Sequence, residues 1–227
     1  MRKIGVIGTG KTGSAVAELL GAQSVLFNRS HLPDASSLKE LHGAIVFVTP
    51  DSAENIMHLL LEAKIAVAWG TTGFSLPHSL DRMVREAGNA WVVASNFSIG
   101  MILMKSLIEQ TGRHSKLFDH PEFLISETHH TQKKDSPSGT ALSWERWLGQ
   151  PATIRSERRG DVVGTHTLTL KTEYETITLQ HEAKNRSLFA SGAIRALHWL
   201  LEYPSLRGVY TLEELVHYAH EHQTPAQ

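Results

Sequence analysis

Residues 6–13, VIGTGKTG, run from an apolar strand pattern straight into a turn with glycine at positions 8, 10 and 13. In a strand–turn–helix setting each glycine has its own task. The first permits the tight turn, the second lets the backbone approach a pyrophosphate, and the third lets the helix pack close to the sheet. Free N–H groups at the helix start then face the anion. The spacing alone is weak, but KIGVIG precedes it and SAVAELL follows it, so a dinucleotide site is favoured over a turn kept only for packing. Gly8, Thr9, Gly10, Lys11, Thr12 and Gly13 are the first candidate cofactor contacts.

Outward from this turn, short apolar runs alternate with amphipathic ones up to about Ser98: SVLFN, AIVFVTP, SAENIMHLLLEA, KIAVAWG, SLDRMVREAG and AWVVAS. Strands alternating with helical patterns predict a parallel sheet with crossover helices, five strands in this half. After Gly100 the texture changes. Met101 to Thr111 has helical spacing, Glu122 to Glu127 reads as a strand, and Val163 to Lys171 and Thr176 to His181 alternate strictly. Leu168 and Leu170 share one face there and Thr165, Thr167 and Thr169 the other, the pattern of a half-buried antiparallel pair. A helix from Arg186 to Leu201 is expected to turn Leu188, Phe189, Ile194, Leu197, Leu200 and Leu201 to one side. Thr211 and Glu214 predict a capping box for a last helix reaching His222. The expected fold is α/β: a Rossmann-type parallel sheet domain formed by residues 1–100 and 193–227, and a second, smaller mixed α/β domain, residues 101–192, carrying an open sheet.

Ligands of open α/β sheets bind at the carboxyl ends of the strands. The second strand ends in Phe27-Asn28-Arg29-Ser30, with no acid where an NAD-selective site carries one about twenty residues after the turn. Arg29 suits a 2′-phosphate, and Asn28 can supply neutral hydrogen bonds, which predicts NADPH as the preferred cofactor with NADH as the alternative. Gly70, Thr71 and Thr72 follow the fourth strand and Ala94, Ser95, Asn96 and Phe97 the fifth. Both loops are candidates for the nicotinamide end.

Composition narrows the chemistry. The 227 residues carry a formal net charge of −1 and 41% hydrophobic residues, so a packed core is expected and a nucleic-acid partner is not. With no cysteine, disulfides, thiolate metal sites and cysteine nucleophiles are excluded. No apolar run reaches the roughly 20 residues of a membrane helix, and the first strand starts near Lys3 without a targeting segment. A cytoplasmic protein with no membrane partner is expected.

The run ETHHTQKKDSPSGTAL, residues 127–142, concentrates histidine, lysine and a Ser-Gly-Thr helix start. Such a cluster suits an anionic substrate that must also receive a proton. A metal is not expected: there is no HExxH, and the adjacent histidines of an extended strand point to opposite faces. A serine nucleophile is not favoured either, because Pro137-Ser138-Gly139-Thr140 lacks the GxSxG elbow. Ser138 is expected to cap the helix that follows, whose free N–H groups suit a carboxylate.

The order Glu-x-His-His-x-x-Lys-x-Asp-x-Pro-Ser-Gly-Thr-Ala, residues 127–141, resembles the 4-hydroxy-tetrahydrodipicolinate (dihydrodipicolinate) reductase family. So do the glycine turn, Gly70-Thr71-Thr72-Gly73-Phe74, Asn96-Phe97-Ser98, the stretch from Arg159 to His166, and Ser191-Gly192-Ala193-Ile194-Arg195. The resemblance covers nearly the whole chain. It implies hydride transfer from NAD(P)H to a cyclic imine dicarboxylate of lysine and diaminopimelate biosynthesis. It also implies His129 and Lys133 as the catalytic pair, leaving open which of them donates the proton. His130, Lys133, Ser138, Gly139 and Thr140 would bind substrate, and the open sheet would pack between subunits of a homotetramer. Lys11-Thr12 departs from the Arg-Met of many members. The alternatives are another two-domain NAD(P)-dependent dehydrogenase and a non-catalytic nucleotide-sensing protein, which would have no need of a proton donor.

Overall fold

A computed structural model of the chain describes residues 2–222. The chain divides into two compact units, one formed by the residues up to Ser98 with those from Arg186 onward, the other by Ile99–Asn185.

The first unit opens with β1 (Ile4–Ile7), α1 (Lys11–Leu20), β2 (Ser24–Phe27), α2 (Ala35–Lys39), β3 (Gly43–Val46), α3 (Pro50–Ala63), β4 (Ala66–Trp69), α4 (Leu80–Glu86) and β5 (Ala90–Val93). Every residue of β1, β3 and β4 is buried, which is why these strands read as unbroken apolar runs rather than alternating ones. Asp34 caps α2 through a capping box with Ser37, and Pro50 starts α3, where its missing N–H costs nothing. Trp69 is completely buried and stacks on Trp91 at 6.1 Å between centroids, so it fills the core.

The second unit comprises α5 (Ile99–Arg113), β6 (Glu122–His129), α6 (Gly139–Leu148), β7 (Thr153–Arg158), β8 (Gly164–Lys171) and β9 (Thr176–Ala183). Its sheet runs β7-β6-β8-β9, with β6 parallel to β7 and antiparallel to β8, and β8 antiparallel to β9. Met104, Ile108, Phe123, Ile125, Trp144, Leu168 and Leu170 form the core between this sheet and the two helices. The Trp144 indole N–H donates to Met101 Sδ at 3.3 Å. The alternation of β8 is observed as expected, with Leu168 and Leu170 buried and Thr165, Thr167 and Thr169 half-buried on the other face. Strand β7 was not foreseen. Its sequence TIRSER is polar and partly exposed along an edge, so no alternation marks it.

The chain then returns to the first unit through α7 (Ser187–Glu202), β10 (Gly208–Thr211) and α8 (Leu212–His222). The return falls at Arg186, ahead of the expected position 193, because α7 is one continuous helix lying on α1, β3 and β4. Its buried side is only in part the one expected. Ala190, Gly192, Ala193 and Ala196 line it with Leu197, Trp199 and Leu200, while Leu188, Phe189, Ile194 and Leu201 are only half-buried. Small residues let the helix axis come close to the sheet, and the sequence search for large apolar side chains passed over them. Strand β10 makes the first sheet six-stranded, in the order β10-β5-β4-β3-β1-β2 with every pair parallel. The five strands expected up to Ser98 are all present; the sixth, in the returning segment, was not foreseen, since four residues after a proline turn give no periodicity to read. Asp81 anchors the added strand by accepting the Val209 N–H at 2.8 Å. The capping box of α8 forms as expected, with Glu214 N–H donating to Thr211 Oγ1 and Thr211 N–H to Glu214 Oε2.

Candidate active site

Backbone shapes the site of the first unit. Gly8 has φ +96, and a Cβ there would stand 2.2 Å from the Phe47 carbonyl oxygen. A Cβ on Gly13 would stand 1.8 Å from the Gly8 carbonyl oxygen, so α1 can approach β1 only with glycine at that place. Around Gly10 no atom lies within 4 Å of a built Cβ, which leaves the N-terminus of α1 uncovered. A cleft of about 440 Å³ opens there, lined by Gly8, Thr9, Gly10, Asn28, Arg29 and Ser30 among others. Asn28 Oδ1 accepts the N–H groups of Ser30 and His31 at 2.9 and 3.0 Å, so this side chain builds the loop that presents Arg29. An uncovered helix N-terminus beside a basic, acid-free loop fits the diphosphate and ribose of a dinucleotide.

A second cleft of about 350 Å³ holds Thr12, Gly70, Thr71, Thr72, Ser95, Asn96 and Phe97. Thr71 Oγ1 accepts the Val48 N–H at 3.1 Å, and Asn96 Oδ1 accepts the Ser98 N–H at 2.8 Å. Lys11, Gly13 and Ala94 line neither cleft. Lys11 is exposed at the start of α1, and the Ala94 N–H donates to the Trp69 carbonyl within the sheet. The sequence search missed Phe47, Val48 and Thr49 after β3, and Arg186 and Phe189 at the start of α7. The strand-end rule applied to AIVFVTP would have found the first three.

The second unit builds its site from side chains. Strand β6 buries Phe123, Ile125, Glu127 and His129 on one face and leaves His130 half-buried just beyond its end. After it the chain turns through Lys133, whose N–H donates to the His130 carbonyl at 3.1 Å. Lys133 Nζ pairs with Asp135 at 2.8 Å, and Lys134 is exposed. Ser138 caps α6, its Oγ accepting the Ala141 N–H at 3.2 Å, and its own N–H donates to Glu127 Oε1 at 3.0 Å. Gly139 and Thr140 thus form the exposed and half-exposed first turn of that helix.

Beneath this loop lies a polar cluster that the sequence search did not assemble. Arg158 of β7 donates to Glu127 Oε1 at 3.2 Å and to the backbone carbonyls of Lys133 and Asp135. His166 of β8 places Nε2 3.2 Å from Ser138 Oγ and 3.6 Å from Glu127 Oε2. Burial opposes ionisation of Glu127, yet the hydrogen bonds from Ser138 and Arg158 hold its carboxyl below the usual range. Burial lowers His129, with Lys133 and Arg158 adding to this against the pull of Glu127. Burial and the neighbouring His129 bring His166 down to about 4. Hydrogen bonding and charge from Lys133 lower Asp135. The ligand atoms of Glu127, His129 and His166 lie within 4.8 Å of one another, close enough to hold a metal ion. The expectation of no metal weighed the missing HExxH motif, the lack of cysteine and the adjacent histidines, and did not foresee this grouping across two strands. Parity was the available signal: His166 has the parity of Leu168 and Leu170, and Glu127 that of Ile125.

The family model described as dihydrodipicolinate reductase, C-terminus, matches residues 100–216. This chain belongs to that family. It is 37% identical over 196 residues to the 4-hydroxy-tetrahydrodipicolinate reductase of Stenotrophomonas maltophilia, covering 83% of this chain and 78% of the relative. The reductase of the same name from Thermosipho africanus is 31% identical over 224 residues, covering 94% and 97%. In fold, the chain is similar to the dipicolinate-bound dihydrodipicolinate reductase from Paenisporosarcina sp. TG-14, with a TM-score of 0.74 and 21% identity over 94% of this chain and 98% of that one. As a family member the chain is a nicotinamide-dependent oxidoreductase.

Proposed function

We propose that this chain reduces the cyclic imine dicarboxylate formed from 4-hydroxy-tetrahydrodipicolinate, giving tetrahydrodipicolinate, with NADPH preferred over NADH. Family membership supports the reaction, and the grouping of His129, Lys133 and the first turn of α6 carries it to these residues. When bound, the nicotinamide supplies the hydride. The chain's own residues must then hold a dianionic ring and deliver one proton to the electron density the hydride leaves. Lys133 and His130 face the ring's carboxylates, and the N–H groups of Gly139 and Thr140 take one of them at the helix start. Ser138 contributes from below, since its own groups turn to Glu127, Ala141 and His166. His129 and Lys133 handle the proton. Arg29, with Ser30 beside it and no acid at the strand end, favours a 2′-phosphate. The half-buried threonine face of the second sheet supports a contact between subunits of a homotetramer. A cytoplasmic place agrees with the cofactor and with the lack, among described residues, of any helix long and apolar enough to cross a membrane.

A coupled assay tests this. The aldol product of pyruvate and aspartate semialdehyde is supplied with NADPH or NADH, and nicotinamide absorbance is followed. Turnover with higher kcat/KM for NADPH is expected. No turnover with either cofactor overturns the reaction, and a preference for NADH overturns the cofactor assignment. Light scattering gives the mass, which should be four chains.

A further inference from the structure

Glu127 carries the least explained charge in the molecule. Its side chain is fully buried, two strands and a loop converge on it, and the chemistry above makes no use of it. One oxygen is accounted for: Oε1 accepts from the Ser138 N–H and from Arg158. The other is not. Oε2 is buried without a hydrogen-bond partner among the described residues, and so is Nδ1 of His129. These two orphaned atoms face each other at 3.6 Å, slightly too far for a formed hydrogen bond; His166 Nε2 is as far from Oε2 but is already engaged with Ser138 Oγ. Both residues lie on the inward face of β6, so their approach follows from strand period alone.

We propose that Glu127 is a positioning residue for His129, its Oε2 accepting a hydrogen bond from the Nδ1–H of the imidazole so that Nε2 is the ring nitrogen that exchanges a proton during reduction. The reductase function proposed above is assumed only in that last clause. A neutral imidazole protonated at Nδ1 presents Nε2 as an acceptor. When Nε2 takes a proton, the resulting imidazolium has a carboxylate at its back, and the proton can pass forward to the reduced ring. Arg158 and the Ser138 amide keep Glu127 charged for this task, and Arg158 also ties down the carbonyls of Lys133 and Asp135. One carboxylate thus sets the histidine and, through its guanidinium partner, the lysine loop. Gly164 completes the arrangement. A Cβ there would stand 3.1 Å from His129 Nε2, so glycine spares that nitrogen a crowding methyl.

Nitrogen-15 NMR of the resting protein, with His129 assigned by comparison with His129→Asn, tests the tautomer without any substrate. The expected result is protonation at Nδ1 with a pyridine-like Nε2. Protonation at Nε2, or an Nδ1 shift that changes on chelation and reveals a bound metal, overturns the proposal. The groups facing the ring are Glu127 on its own strand, Arg158 on β7, His166 on β8 with His181 behind it on β9, and Lys133 and Asp135 in the loop. Glu127 is the group whose charge favours the imidazolium most, so Glu127→Gln should move the His129 titration to lower pH. It should also reduce kcat by about tenfold or more, in the range of an impaired acid–base group, with KM changed less than twofold. Glu127→Asp should recover part of kcat. Should Glu127→Gln not fold, Gly164→Ala serves instead: the Nδ1 tautomer persists while kcat falls. An unmoved titration, or a loss confined to KM, overturns the positioning role. A correct tautomer in a protein that fails the coupled assay removes the reductase function and leaves the geometry standing.

Discussion

At the glycine turn of the first unit, the proposed cofactor site is made of backbone held in place by steric exclusion. The fit of Gly13 against Gly8 and the bare surroundings of Gly10 do the shaping. At the run from Glu127 to Thr140, the proposed substrate site is made of side chains, and these are held by charge. Glu127, Arg158 and His166 come from three different strands and lie under the loop they support. A site made from backbone tolerates many side chains and depends on a few glycines. A site made from side chains depends on partners far away in the sequence and on their protonation. Each experiment below sets one of these dependences against the other.

Acid should divide them most sharply. His166 sits at about 4 in the folded protein against an ordinary value of 6.5, so the unfolded chain takes up that proton first. Stability is fully present above 6.5 and falls as pH drops towards about 4, by about 3 kcal/mol at the lower end. Glu127, held below its ordinary value of 4.5, adds a further loss as pH falls below that. Urea unfolding at pH 7, 5.5 and 4 should show this decline, and His166→Gln should flatten its upper part; an unchanged slope would refute the assignment. Next comes Lys133→Ala, expected to lower turnover by about 100-fold or more, the scale of a lost proton donor. Cofactor affinity, read by fluorescence titration, should be unaltered, and a parallel loss of both would show that the two sites are not separately built.

Gly13→Ala is the converse experiment. The new methyl forces α1 away from β1 at a cost of about 2 kcal/mol, roughly 30-fold in NADPH affinity, from the usual overpacking range. The His129 titration should be untouched. Arg29→Ala should raise the KM for NADPH about fivefold, the worth of an exposed charge pair, and leave NADH alone. The smallest effect is expected at Asp135. Its carboxylate pairs with Lys133 where a substrate carboxylate is proposed to bind, so Asp135→Asn should lower substrate KM about twofold, with exposure keeping the gain small. A rise in KM would show that Asp135 holds the lysine in place rather than competing for it.

The same contrast explains what the sequence made legible. Glycine spacing, strand ends and period-two alternation are local, and they located β1 to β5, β8, β9, the glycine turn and the capped start of α6. The partners of Glu127 are joined by pairing register, which no local pattern encodes: β6 meets β7 with His129 opposite Arg158, and meets β8 with Glu127 opposite His166. Arg158 lies in a strand that looks like a polar edge, and His166 looks like one more histidine among fourteen. Burial by small residues was equally silent, as the inward alanines of α7 show.

The return of the chain at Arg186 has a consequence for synthesis. Ile99–Asn185 is one uninterrupted segment, so all the strands and helices of the second unit are made before the chain returns to the first. The first unit is split around it. Until α7 and β10 have been made, the side of β3 and β4 that α7 covers lies bare and β5 stands as an open edge. The half of the enzyme made first is therefore the half whose sheet is completed last.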